Sequence, residues 1–360
     1  MIENNKNFKK DFKNKKVIIT GHTGFKGSWL SIWLNDLGAK IIGISKDIPT
    51  QPSIAESSGI LNKITDYREN INEFNKISEI IHDTQPDFIF HLAAQPLVRK
   101  SYEDPIETWR TNLIGSINIL ESLKKLKKKC SCVMITSDKC YDNQEWYWGY
   151  KETDRLGGTD PYSASKGSAE IAIRSYNESY FKKNFSNISI ASVRAGNVIG
   201  GGDWAADRII PDCIRSWAEG NEIILRNPNA TRPWQHVLEP LSGYLLLGHK
   251  LINKKLKSNL IPSWNFGPHK RNCKKVKFIV QLLVSEWGNK QKIIFKKNKD
   301  FHESKFLSLN CNKAKKELQW KPRLNLSETI NLTVNWYKHY FNQNNLDSIT
   351  NNQIEFFTDK

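Results

Sequence analysis

Apolar residues in the first half of the chain switch between two periods. Short β-branched or aromatic runs, Lys16–Thr20 (KVIIT), Lys40–Ile44 (KIIGI), Asp87–His91 (DFIFH), Cys132–Thr136 (CVMIT) and Ile188–Val193 (ISIASV), predict strands. Between them, Lys26–Leu37, Trp109–Leu126 and Tyr162–Tyr180 repeat apolar positions at helical spacing, with Gly38 and a lysine cluster as stops. Strand–helix alternation of this kind predicts right-handed crossovers and a parallel sheet covered on both faces. The expected fold class is therefore α/β, a Rossmann-type doubly wound parallel sheet.

After Arg194 the pattern loosens. Gly200-Gly-Gly-Asp-Trp204 reads as a loop. Helical patches follow at Arg208–Glu219 and Glu239–Lys254, with a short strand near Glu222–Leu225, a run at Ile261–Phe266 able to rejoin the sheet, and helices at Lys275–Glu286 and Leu326–Tyr340. This predicts a cofactor lobe of residues 1–195 with returning segments at about 236–266. A smaller mixed α/β substrate lobe takes 196–235 and 267–345. The Asn-rich stretch from Gln343 predicts a mobile tail over 346–360.

Composition narrows the class. The 360 residues, 39% hydrophobic with twelve Trp, suffice for a sizeable core. Mean hydropathy is −0.56, and no apolar run approaches the ~18 residues of a membrane span. Residues 1–15 lack an apolar core and do not read as a secretory signal, so a cytoplasmic protein is expected. Six scattered Cys form no C-x-x-C pair, so neither a zinc site nor a disulfide framework is expected, and Cys140 reads as a small buried filler. The net charge of +17 comes partly from the runs Lys124–Lys129, Lys254–Lys257 and Lys270–Lys277, which lack interleaved aromatics. They read as solvated faces, with no nucleic-acid partner expected, though a positive field favours a diphosphate-bearing substrate.

Three segments carry candidate chemistry. Gly21-x-x-Gly24-x-x-Gly27 joins the first strand to the first helix: a tight turn, backbone N–H groups for a pyrophosphate, and close helix–strand packing. Thr23, Phe25 and Ala93, in His91-Leu-Ala-Ala-Gln95, join it as cofactor contacts. The second strand runs into Ser45-Lys46-Asp47, where Asp47 would read a ribose of NAD and Lys46 would favour a 2′-phosphate; NAD is the preferred reading. Asp66 is either an acceptor for the adenine amino group or a turn residue. Tyr162 and Lys166 share a helix face, where an ammonium supports the phenolate of a group whose pKa is ordinarily about 10. Ser137, Asp138 and Lys139 follow a strand at the sheet edge where doubly wound folds bind ligands. Ser137 can assist Tyr162, and an acid beside a second proton carrier exceeds what plain alcohol oxidation needs.

These segments resemble the extended short-chain dehydrogenase/reductase family over about Lys15–Tyr340. Within it, residues 21–27, Thr136-Ser-Asp-Lys-Cys-Tyr141, Arg194-Ala-Gly-Asn-Val-Ile-Gly-Gly-Gly-Asp-Trp204 and Arg232-Pro-Trp-Gln-His-Val-Leu-Glu-Pro240 resemble the CDP-glucose 4,6-dehydratases. The resemblance implies CDP-glucose as substrate, NAD as resident cofactor, and a 4-keto-6-deoxy sugar as product. It implies Tyr162 as base at the 4-hydroxyl and Asp138 as acid at C6. Lys139 stands where dTDP-glucose dehydratases carry Glu, the C5 base; Lys139 either takes that role or steadies the enolate while Asp138 does both. Arg232 is the expected diphosphate clamp, with Gln95, Arg208 and Asn197 as further substrate contacts and Asn112 ordering backbone or water. Trp204 and Trp234 line the pocket or pack the core. A homodimer or larger homo-oligomer through 107–126 and 162–180, and a role in surface-polysaccharide sugars, are also implied. Rival readings are a GDP-mannose dehydratase, a UDP-sugar 4-epimerase, and a silent NAD-sensing protein.

Overall fold

The computed structural model describes residues 5–225, 227–253, 256, 262–288, 291–295 and 306–360. Lys254, Lys255 and Lys257 of the basic run, and Ile261 at the start of the expected last strand, lie outside them.

Seven strands form one wholly parallel sheet: β1 (Lys16–Thr20), β2 (Lys40–Ile44), β3 (Thr65–Tyr67), β4 (Phe88–His91), β5 (Cys130–Ile135), β6 (Ile188–Ala195) and β7 (Ser263–Phe266). Their order is β7-β6-β5-β4-β1-β2-β3, so the winding reverses between β1 and β4. That is the expected doubly wound sheet, with its ligand crevice beyond the carboxyl ends of β1 and β4. Period-2 alternation sends successive residues to opposite faces. Val17, Ile19, Phe88, Phe90 and Val133 enter one buried cluster, while Ile18, Ile89, Cys132 and Met134 enter the other. The first cluster continues through Trp204, Ile214, Trp217, Trp234 and Leu283, so one core runs beneath the segments after Arg194.

The helix Leu238–Ile252 packs on β5 and β6, and β7 pairs with β6 (Trp264 opposite Val193), returning the chain to the sheet after the excursion at 196–235. That excursion contributes three two-stranded pairs. Val198–Ile199 pairs with Gln235–His236, Thr231–Pro233 with Cys273–Lys275, and Ile223–Leu225 with Ile293–Phe295. Among the described residues no helix is long and apolar enough to cross a membrane, and no group of three or more His, Cys, Asp or Glu could hold a metal. All six Cys are free, and Cys140 is buried.

The expected mobile tail is corrected. Leu346–Asp359 is a helix, started by Asn345, whose side chain accepts the Ser348 N–H. Leu346, Ile349, Ile354 and Phe357 return at helical spacing and are buried; the Phe357 ring meets Trp33 edge-on at 5.9 Å. Asn-rich composition hid an apolar stripe that packs on the helix Phe25–Asp36. Arg323 also caps its end, donating to the Phe357 and Thr358 carbonyls.

Buried Glu239 anchors this corner. One carboxyl oxygen accepts the N–H groups of Arg323 (2.8 Å) and Leu324 (2.6 Å), and the other has no partner. Burial pushes its pKa up to about 7 from 4.5. A carboxyl raised on folding stabilises fully below its unfolded value and loses that contribution as pH rises through its folded value. Stability should therefore fall by about 3 kcal/mol as pH climbs from about 4.5 to beyond about 7. Glu239→Gln should flatten that decline when denaturation midpoints are measured across the range.

Candidate active site

The first crossover builds a cradle at the sheet edge. β1 turns at Gly21 (φ +73°) because a Cβ there would sit 2.7 Å from the Ala93 nitrogen, where β4 exits. A Cβ on Gly27 would lie 2.0 Å from the Gly21 carbonyl oxygen. Gly24 caps the helix Phe25–Asp36 in extended backbone without a side-chain bond, leaving that end to an incoming anion. Thr23 donates its hydroxyl to the Asp47 carbonyl (2.7 Å), tying the loop to the exit of β2, and the Phe25 ring backs Gly200. The cradle fits a dinucleotide pyrophosphate. Gly27→Ala should cost about 1–3 kcal/mol by overpacking, read as a lowered denaturation midpoint together with reduced retention of bound NAD.

At the far end the Asp66 carboxylate is already engaged. It accepts from His22 Nε2 (2.9 Å) and Arg68 (2.7 Å), and His22 Nδ1 meets the Ser45 hydroxyl at 3.1 Å. Gly43 in β2 makes room for this ring, since a Cβ would lie 2.5 Å from it. Burial holds the His22 pKa below its usual value despite Asp66. Asp47 is exposed beyond this relay, and Lys46 pairs with Glu107 at 3.5 Å.

The reacting end is built from β5 and the helix Pro161–Tyr176. Asp160 caps that helix by accepting the Ser163 N–H (2.9 Å), and Pro161 presets its first turn, which carries Tyr162. Tyr162 and Lys166 are both buried, one turn apart. Burial pushes the phenol up to about 12, opposed by its hydrogen bond with Ser137 and by Arg208. Burial, then the neighbouring Lys26, pull the Lys166 ammonium down to about 8. Ser137 donates to Asp138 Oδ1 (3.1 Å) and accepts from the Lys139 N–H (3.3 Å). Asp138 is 4% exposed, its Oδ2 has no partner, and burial raises its pKa against the pull of Lys139. Lys139 is exposed to the cleft, its ammonium 5.9 Å from the Tyr162 ring centroid.

The expected substrate contacts divide. Gln95 turns inward: its amide donates to the Leu97 carbonyl (3.0 Å) and Thr108 (2.9 Å) and accepts the Leu97 N–H. It shapes the loop after β4 and offers no free amide to a substrate. Asn112 sits in a widened π-type turn at Arg110–Ile114 and binds both Gln95 backbone groups and Ser165, locking that loop to the Tyr162 helix. Arg208 pairs with Asp203 at 2.8 Å within electrostatic reach of Tyr162. Arg232 lies within reach of Asp138, and Asn197 accepts the Gln235 N–H through its carbonyl. Trp204 and Trp234 are core residues, packed on Tyr337 and Tyr340 and tied to the Lys274 carbonyl respectively.

Two features escaped the sequence reading. Lys26, inside the glycine loop, lies within electrostatic reach of Asp138, Asp203, Arg208 and Lys166. Behind Ser137–Lys139 lies a buried ion pair, Arg194–Glu170 at 2.6 Å.

Residues 18–333 match the family described as GDP-mannose 4,6 dehydratase. The chain is 46% identical over 336 residues to the CDP-glucose 4,6-dehydratase of Salmonella typhimurium, covering 92% of each chain. It is 25% identical over 345 residues to the dTDP-glucose 4,6-dehydratase of Haemophilus influenzae, covering 89% of this chain and 97% of that one. Two solved structures share the fold. The UDP-glucose 4-epimerase of Thermotoga maritima with UDP-glucose has a TM-score of 0.78 at 21% identity, covering 91% and 99%. The dTDP-glucose 4,6-dehydratase of Bacillus anthracis with NAD has a TM-score of 0.75 at 21% identity, covering 90% and 96%.

Proposed function

Because the chain belongs to the GDP-mannose 4,6 dehydratase family, we propose that it converts CDP-glucose to CDP-4-keto-6-deoxyglucose and water, with NAD as resident cofactor. The observation that carries this reading is Asp138, a sealed carboxyl with one unpartnered oxygen beside the Ser137–Tyr162 pair. Exchange of a 4-hydroxyl's configuration has no use for such an acid; loss of a 6-hydroxyl does. CDP as the carrier nucleotide comes from the 46% relative.

Gly21, Gly24, Gly27, Thr23, Phe25 and Ala93 hold the cofactor, with Asp47 and Asp66 at its adenosine end. When bound, NAD supplies the acceptor for the C4 hydride and returns it to C6. Tyr162 removes the proton of the sugar 4-hydroxyl, steadied by Ser137 and Lys166. Lys139 takes the C5 proton, made acidic by the 4-ketone, and later returns it to C5, while Asp138 gives its proton to the C6 oxygen. Arg232, Arg208 and Asn197 hold the nucleotide sugar. Residues 1–195 and 236–266 form the cofactor lobe, and 196–235 and 267–345 the substrate lobe. A homodimer buries Ile106 (73% exposed), Ile114 and Ile171 on helices flanking the site. The protein acts in the cytoplasm, and its product feeds sugars of a surface polysaccharide.

The test is incubation with CDP-, dTDP- and UDP-glucose and GDP-mannose, with and without NAD, followed by mass spectrometry. Loss of one water from CDP-glucose alone is expected. No water loss from any of the four removes the dehydratase reading in favour of an epimerase or a sensor.

A further inference from the structure

We propose that His91 is a positioning residue for hydride transfer, an imidazole that ties the cofactor cradle to the turn holding the Tyr162 helix; this rests on the dehydratase reading above. Ile89 enters the apolar cluster on one face of the sheet, and period-2 alternation places His91 on that same face at the end of β4. An aliphatic side chain would pack there without the cost of burying ring nitrogens. The imidazole is buried, and both nitrogens are engaged on other elements. Nδ1 meets the Thr20 hydroxyl at 2.7 Å, and Nε2 meets the Ser116 hydroxyl at 3.1 Å.

The partners fix which nitrogen carries the proton. Ser116 donates its one hydroxyl proton to the Asn112 carbonyl (2.7 Å), which can only accept. Ser116 therefore accepts from His91 Nε2–H. Burial, then the nearby charge of Lys166, push the ring's pKa down to about 3, so the ring is neutral and Nδ1 is bare. Thr20 donates to that nitrogen and accepts the Ala93 N–H (3.2 Å). One directed chain results, from the Ala93 N–H through Thr20, His91 and Ser116 to the Asn112 carbonyl, and bonds aligned in one direction polarise one another.

Each end of the chain touches the reaction. Thr20 precedes Gly21, which lies against the Ala93 backbone, so this end shapes the cradle. At the other end Asn112 holds Ser165, whose hydroxyl donates to the Tyr162 carbonyl (2.7 Å). The winding reverses between β1 and β4, and the helices that follow them pack on opposite faces of the sheet. His91 bridges the two strand exits across that reversal and sets the cradle against the Tyr162 helix.

The test uses two substitutions that each keep one half of the ring's bonding. Asn places its amide near the Nδ1 position and keeps the link to Thr20; Gln reaches the Nε2 position and keeps the link to Ser116. In rapid mixing with CDP-glucose at saturating NAD, His91→Asn should slow hydride uptake, read as absorbance at about 340 nm, by about 10- to 100-fold, with NAD affinity close to wild type. His91→Gln should recover most of the hydride rate while NAD affinity, measured by calorimetry, weakens about tenfold. Ser116→Ala, which leaves the ring in place, should reproduce the Asn pattern, and it decides the matter if the ring variants fold poorly by their melting curves. Lowered melting temperatures with rate and affinity unchanged, or the same losses in Asn and Gln alike, overturn the assignment. Failure of the wild-type protein to dehydrate CDP-glucose instead overturns the functional reading beneath it.

Discussion

Tyr162→Phe should lower turnover of CDP-glucose by about 10²- to 10⁴-fold while leaving the melting temperature and bound cofactor close to wild type. The ring is buried and keeps its packing; only the hydroxyl that meets Ser137 is lost. Burial holds the phenol at about 12 in the protein alone, too high for a base at neutral pH. A hydrogen bond with Ser137 and the Arg208 guanidinium favour its ionised form, and Lys166 stands one turn along the same helix face. Turnover in the wild type should therefore rise with pH as Tyr162 gives up its proton. Asp138, raised by burial, opposes that rise wherever it loses the proton it must deliver. A rapid-mixing experiment checks the assignment. In the Phe variant the 340 nm signal should not form at all, whereas loss of a C6 acid would leave it standing. A Phe variant forming that signal at the wild-type rate would remove Tyr162 from the C4 step.

Breaking the Arg194–Glu170 pair should be the most damaging change outside the cleft. Both side chains are 1% exposed. Glu170 accepts from Arg194 (2.6 Å), Ser192 (2.8 Å), Ser263 (3.2 Å) and Thr136 (2.5 Å), while Arg194 also donates to Tyr141 (2.7 Å) and the Glu152 carbonyl (3.2 Å). Thr136 and Tyr141 flank Ser137–Lys139, so this network fixes both ends of the reacting turn to the helix of Tyr162. Arg194→Met or Glu170→Leu alone strands a buried charge and should cost about 3–5 kcal/mol. The double replacement should cost less than either single change, because no charge remains unpaired. Chemical denaturation of the three proteins checks this, and equal additive losses would show that the pair is not a unit. Burial alone would raise Glu170, but Arg194 and the hydroxyls of Thr136 and Ser192 hold it below its ordinary value. Its contribution is therefore complete above about 4.5 and lost as pH falls through the lower folded value, a share of acid unfolding that Glu170→Leu should abolish.

Much of the sheet could be read from period and punctuation. β1, β2, β4, β5 and β6 are short apolar runs bounded by Gly, Pro or Lys, and Gly21 and Gly27 sit where only a missing side chain fits. The site was legible wherever a residue type implies a reaction, as with Tyr162, Lys166, Ser137 and Asp138. It was not legible where function depends on what lies opposite. Lys26 occupies a position that a glycine-loop pattern treats as backbone. Gln95 carries a type suited to a sugar hydroxyl, yet Leu97 and Thr108 consume its amide. Asp66 is likewise taken by His22 from 44 residues away. For 346–359, abundant Asn masked the spacing of Leu346, Ile349, Ile354 and Phe357, although Asn345 is a helix-start signal in its own right.

The seating of Leu346–Asp359 against Phe25–Asp36 bears on synthesis as much as on stability. A growing polypeptide leaves the ribosome with its glycine-rich loop and the helix Phe25–Asp36 long before residues 346–359 have been made. Until those arrive, Trp33 lacks the Phe357 ring at its edge, and an apolar strip beside the cradle stays open to wrong partners. Early termination, proteolytic trimming or a bulky fusion at that distant helix should therefore be felt first as weakened nucleotide retention and aggregation of new chains, at a loop more than 300 residues upstream.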